Sequence, residues 1–213
     1  MRTPLLATVA VAAMASSAMA EISASSGWED NSADALLGVF GNVSDYGYDQ
    51  ADPFAGLNSL FMIEDPLSGT PQGYVAWIRG LSEGDTVTVS MWFKGEDSGS
   101  GDTIAKGRLW AHYTDEVDTT SYLGSASGPA DYAGDEGVWE QSTYTWTIGA
   151  GQTALMIEAR IYSYGENNMI LGDDMVVTVS NDNANITLAG VIPAPGAIAL
   201  LGVAGLAGRR RRG

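Results

Sequence analysis

Through the middle of this chain apolar residues return at every second position, the period of a half-buried β-strand. The alternation is clearest in Tyr74–Arg79, Thr86–Lys94, Gly107–Tyr113, Val138–Thr147, Ala154–Ser163 and Asp174–Ser180. Each segment is short, rich in Val, Ile, Thr, Trp and Tyr, and bounded by Gly, Asp, Ser or Asn, which predicts strands. Weaker candidates lie near Ala35–Phe40 and Ser59–Ile63. Gly84-Asp85 and Gly149-Ala150-Gly151 read as turns, and residues 96–101 and 121–137 as polar loops. No segment carries a helical period and no internal repeat is present. Many short strands with Gly-rich turns predict an all-β fold, a two-sheet antiparallel jelly-roll sandwich over residues 21–180. Residues 181–192 read as a linker.

Alternation also assigns faces, because successive side chains on a strand point to opposite sides. Val87, Val89, Met91 and Phe93 share one side of their strand, and Leu109, Ala111 and Tyr113 one side of theirs. Leu155, Ile157, Ala159 and Ile161 do the same, as do Tyr74, Ala76 and Ile78. These sets form the expected core. The opposite sets combine Trp77, Trp92, Trp110 and Tyr162 with Arg79, Lys94, Arg108, His112, Glu158 and Arg160. A solvated sheet face carries Thr, Ser, Lys and Glu rather than three tryptophans. Rings beside charged hydrogen-bonding groups suit a sugar, whose C–H face stacks on an aromatic while its hydroxyls bond to Arg, Glu or His. Candidate ligand-binding residues are therefore Trp77, Arg79, Trp92, Trp110, His112, Glu158, Arg160 and Tyr162. Cross-strand packing of the same tryptophans is the alternative.

Both ends depart from this pattern. Met1-Arg2, an apolar run from Leu5 to Met14 and Ala18-Met19-Ala20 make a secretory signal peptide over residues 1–20, with cleavage before Glu21. At the other end stand Pro193-Ala194-Pro195, an uncharged stretch from Ala197 to Gly208, and Arg209 to Arg212. The stretch is shorter than the roughly 20 residues of a comfortable span. The terminal arginines hold that end on the cytoplasmic side. Breaker, short apolar helix and arginines, in that order, resemble the PEP-CTERM sorting signal of Gram-negative bacteria. The resemblance implies an exported chain, sorted to the cell envelope by an exosortase-type enzyme and held in the membrane through residues 196–208. Ala194 stands where that signal usually has Glu, so cleavage stays open, and a plain tail anchor is the alternative.

Charge narrows the range of partners. The chain has 26 Asp plus Glu and ten Lys plus Arg. Five of the basic residues lie in the two ends, which leaves the domain a formal charge of −21. Such a surface disfavours nucleic acid, because neutralising phosphate takes Lys and Arg. There is no cysteine, so no disulfide framework supports an exported domain. Catalysis finds little support. A retaining glycosidase needs two carboxylates about 5 Å apart, and Glu158 is the one acid placed mid-strand on the aromatic face. His112 is the single histidine, with no nucleophile elbow, zinc spacing or phosphate loop to accompany it.

Five segments in order carry a further likeness: Gly27-Trp28-Glu29, Asn58-Ser59-Leu60, Gly80 through Lys94, Trp139 through Thr147, and Gly172-Asp173-Asp174-Met175-Val176-Val177. Together they resemble jelly-roll carbohydrate-binding modules of the galactose-binding-like superfamily. The resemblance implies glycan or polysaccharide binding without catalysis. It also implies a structural Ca2+ joining Glu29 to Asp173 or Asp174, a reasonable set because Ca2+ takes oxygen ligands, backbone carbonyls included. Ser25-Ser26 replace the Asn-Gly that often opens these modules. A structural envelope or biofilm-matrix protein with no sugar binding is the rival reading.

Overall fold

The computed structural model describes residues 20–67, 69–96, 104–135, 137–163 and 167–191. The expected signal peptide (apart from Ala20), the loop tip at 97–102 and the expected sorting segment at 193–213 lie outside the described residues. Twelve strands form: β1 (Ile22–Ser26), β2 (Gly38–Phe40), β3 (Val43–Asp49), β4 (Ser59–Glu64), β5 (Gln72–Arg79) and β6 (Thr86–Glu96), then β7 (Lys106–Thr114), β8 (Gly124–Ser127), β9 (Glu140–Thr147), β10 (Ala154–Tyr162), β11 (Asn168–Val179) and β12 (Asn185–Leu188). There is no helix among the described residues. One sheet runs β3-β4-β11-β6-β9, with β1 also on β11, and the other runs β12-β5-β10-β7-β8, with β2 also on β5. Every pairing is antiparallel. The expected two-sheet sandwich is what forms.

The apolar sets read from parity meet between the sheets. Val87, Val89, Met91 and Phe93 of β6 face Leu109 and Ala111 of β7 and Leu155, Ile157, Ala159 and Ile161 of β10, all without appreciable solvent contact. Burying each of the larger side chains contributes about 1.5–3 kcal/mol, and with no cysteine that burial carries the fold.

Three features differ from the sequence expectation. First, β1, β3, β8 and β12 were not expected. They contain Ser, Gly, Asp and Asn, residues of low strand propensity, and they lie along single central strands that supply their hydrogen bonds. Second, β12 falls inside the expected linker: Asn185 to Leu188 pair with Arg79 to Ala76, so sheet structure continues past residue 180. Third, β5 has a bulge. Ile157 pairs with Ala76 but Glu158 pairs with Tyr74, which leaves Val75 as the extra residue. Val75 turns into the core and Tyr74 turns out, the reverse of strict alternation.

Gly107 shows how closely the sheets meet. A Cβ there would stand 2.3 Å from a ring carbon of the fully buried Phe93. Gly107→Ala is expected to lower stability by about 1–3 kcal/mol, read as a lower midpoint in denaturant at unchanged slope.

Candidate functional site

The outer face of the β5-β10-β7 sheet is built around Glu158, which is only 1% exposed. Register sets its neighbours. Trp110 lies opposite it on β7 and Tyr74 opposite it on β5. His112 and Arg160 sit one step along the same face. The His112 Nδ1–H donates to Glu158 Oε1 at 2.5 Å, and Arg160 Nε donates to Oε2 at 2.6 Å. With its amide turned to satisfy both neighbours, Gln72 donates to Oε2 at 3.0 Å and accepts from Arg160 at 3.2 Å. A buried carboxylate needs such partners to offset its lost hydration. Burial, and then the Glu158 charge, push the Tyr74 phenol above its ordinary range, while Arg160 opposes them.

Above this floor lies a cavity of about 450 Å³, walled by Phe40, Tyr74, Thr120 and Tyr122, with Gln72, His112, Glu158 and Arg160 at its base. Its rings are within reach of one another: Tyr74 and Tyr122 stand 5.3 and 5.6 Å from His112. Phe40 and Tyr122 are 61% and 67% exposed, so apolar surface is left facing solvent at the rim. Glu158 is the one carboxylate among the described residues lining the cavity. The arrangement can hydrogen-bond a polar ligand from below and stack on it from the sides.

The eight expected ligand residues do not all meet. His112, Glu158 and Arg160 form the cavity floor, with Trp110 and Tyr162 on the same sheet face. Trp77 and Arg79 share that face but pack against the protein. The Trp77 indole donates to Thr114 Oγ1 at 2.9 Å and is 8% exposed, and the Arg79 guanidinium lies 4.2 Å over its ring. Arg79 itself donates to Asn185 and Thr187 on β12. Trp92 belongs to the other sheet. There it stacks on Phe54 at 4.1 Å, and neighbouring Lys94 pairs with Asp52 and Glu96. Parity places Trp92 on an outward side without saying which sheet holds β6, and the chain crosses between sheets from β6 to β7.

Five lining residues went unread in the sequence, Thr120 among them with no signal at all. Tyr74 was hidden by the bulge, and Gln72 precedes the expected strand start. Phe40 ends a weak strand, and Tyr122 is an aromatic in a polar loop, the one signal that sequence alone offered.

The three residues implied for calcium divide in a similar way. Glu29 accepts from the backbone N–H groups of Leu57 and Asn58 at 3.0 and 3.3 Å. Asp173, fully buried, accepts from Ala55 at 3.0 Å and from Asp174 at 2.6 Å. Both carboxylates thus hold the loop at 54–58, and the Asp173 carboxylate and the Glu29 side-chain stem both lie beside Gly27. Asp174 is the extra residue of a bulge in β11, with φ 45° and an exposed side chain. No group of three or more acidic, His or Cys side chains suited to a metal is present among the described residues.

The fold resembles that of jelly-roll carbohydrate-binding modules. The chain is similar to the N-terminal CBM22-1-CBM22-2 tandem domain from Paenibacillus barcinonensis Xyn10C, with 15% identity and a TM-score of 0.51, over 78% of this chain and 49% of that one. It also aligns with the CBM22-1 xylan-binding domain of the same protein at 16% identity and a TM-score of 0.49, over 78% of this chain and 99% of that one. At such identity the likeness concerns architecture. No family model and no curated protein matches the sequence.

Burial raises the Asp173 carboxyl to about 6, with the N–H groups of Ala55, Asp174 and Phe54 opposing and the Asp174 charge adding to the rise. The folded chain therefore holds this proton more tightly than the unfolded chain, whose value is 3.8. In chelator, the Asp173 contribution is expected to lower stability as pH rises from about 4 to about 6. Denaturant titrations across that range should show Asp173→Asn lacking this decline.

Proposed function

We propose that this is a non-catalytic glycan-binding protein that takes its ligand in the cavity over β5, β10 and β7. The carrying observation is the cavity itself: a fixed polar floor of His112, Glu158, Arg160 and Gln72 beneath exposed rings. A sugar presents hydroxyls to the floor and C–H faces to Tyr74 and Tyr122. A single carboxylate in the lining suits binding better than glycoside hydrolysis, which uses two. A glycan array probed with the wild type and Tyr122→Ala tests this. The exposed Tyr122 can be removed without disturbing the core, and its loss should weaken the strongest signals about tenfold, roughly 1.4 kcal/mol. Equal signals from both proteins would remove the cavity as the site.

The rival reading, a structural envelope or matrix protein, draws on Trp77 and Trp92, which are covered instead of lining a groove. It predicts no glycan signal at all.

Two further parts of the reading concern delivery and stability. The signal peptide and the PEP-CTERM-like tail make this an exported protein sorted at the envelope, by an exosortase-type enzyme or through residues 196–208 as an anchor. Cleavage before Glu21 leaves β1, which starts at Ile22, intact. N-terminal sequencing of envelope fractions should read Glu21 first. A structural Ca2+ would be held by Glu29 and Asp173, and the backbone carbonyls of that loop would complete its oxygen shell. Binding would raise the melting temperature in calcium over chelator, and Glu29→Gln should abolish the difference.

A further inference from the structure

Arg108 and Arg160 stand directly opposite each other on β7 and β10. Like charges in that position repel, and they persist only where something offsets the repulsion. Their guanidiniums lie 4.6 and 4.5 Å over the Trp110 ring, so both are held by the same indole. Lys106, one step away opposite Tyr162, lies 4.7 Å over the Tyr132 ring, and Arg108 reaches that ring at 5.3 Å. Three of the domain's five cations are thus gathered at one end of one sheet face.

Counter-charge is sparse there among the described residues. Glu158 pairs with Arg160, but its other oxygen is taken by His112. The Arg108 Nε donates to the neutral Pro129 carbonyl at 2.6 Å. Among the described residues no carboxylate forms an ion pair with Arg108 or Lys106. Among the described residues, then, Arg108 and Lys106 are held by aromatic rings and a neutral carbonyl rather than by carboxylates. A guanidinium stacked on a ring still presents its N–H edge, and that edge binds carboxylate or sulfate in bidentate fashion. At physiological salt the screening length is about 8 Å, so remote carboxylates are damped while groups in contact are not.

We infer that the Arg108–Arg160 pair on Trp110 is an anion subsite beside the sugar cavity, and that the preferred ligand is an anionic polysaccharide bearing carboxylate (uronate) or sulfate groups. This rests on the glycan-binding reading above. Arg160 belongs to both parts: it lines the cavity and faces Arg108, so a ring seated by Tyr74 directs its anionic substituent to the pair. Trp110 holds the arginines and leaves sugar stacking to the tyrosines.

Affinity electrophoresis and calorimetry on the full chain would use four polymers: polygalacturonate, its fully methyl-esterified form, neutral xylan and dextran sulfate. Polygalacturonate should bind at least tenfold more tightly than its ester. Arg108→Gln, confirmed as folded by an unchanged thermal melt, should lose at least tenfold on polygalacturonate, and Arg108→Lys should recover part of it. Lys106→Gln offers a second, milder loss if Arg108→Gln does not fold. Preference for dextran sulfate with the same Arg108 dependence supports the subsite and assigns it to sulfate. Equal binding of polygalacturonate and its ester, or an Arg108→Gln protein that binds as the wild type does, overturns the subsite while leaving glycan binding standing. Binding of none of the four polymers overturns both.

Discussion

Glu158 is a carboxylate in the middle of a central strand, almost without water, and the surface above it is organised by the need to stabilise its charge. His112 and Arg160 each take one oxygen, and Gln72 links carboxylate to guanidinium. The bulge at Val75 is part of the same arrangement, because it keeps Tyr74 and Gln72 opposite Glu158 and Arg160 while Ala76 and Ile78 continue into the core. Removing one partner would leave a buried charge uncompensated, which costs several kcal/mol, so the four groups hold one another in place. A polar floor held in this way loses little order when a ligand arrives.

The two outer faces of the sandwich have similar alternation and different fates. Over the β4-β11-β6 sheet the loop at 50–58 is held down, with Phe54 on Trp92 and its backbone bonded to Glu29 and Asp173. Over the β5-β10-β7 sheet the loop carrying Thr120 and Tyr122 stands at the rim of a cavity. One tryptophan therefore closes a face and another, Trp110, supports an array of guanidiniums on an open one. The domain's formal charge of −21 makes that array notable, since three of its five cations gather on the sheet face that carries the cavity.

Much of the fold was legible because burial against a single core imposes a two-residue period. The six clearest strands were found, and the four missed ones lie at the sides of the sheets, where backbone pairing with one central neighbour suffices and apolar alternation is not needed. Three of the eight residues lining the cavity, His112, Glu158 and Arg160, were legible for a related reason. Trp110, His112, Glu158, Arg160 and Tyr162 lie on β7 and β10, adjacent strands whose register carries no irregularity. Tyr74 was lost to a bulge, which reverses the facing of every residue beyond it without leaving a trace in hydropathy.

By itself, the sequence determined the all-β sandwich, its apolar core, the acidic surface without cysteine, and the outward placement of the aromatic and charged residues, because each follows from composition or strand period. Which sheet each strand joins, and thus that Trp92 never meets Trp110, was decided by the tertiary structure. So were the turning of Tyr74 and the meeting of Phe40 and Tyr122 over Glu158. Those depend on crossovers, a bulge and loop closure, which join residues far apart in the chain and have no local period to reveal them.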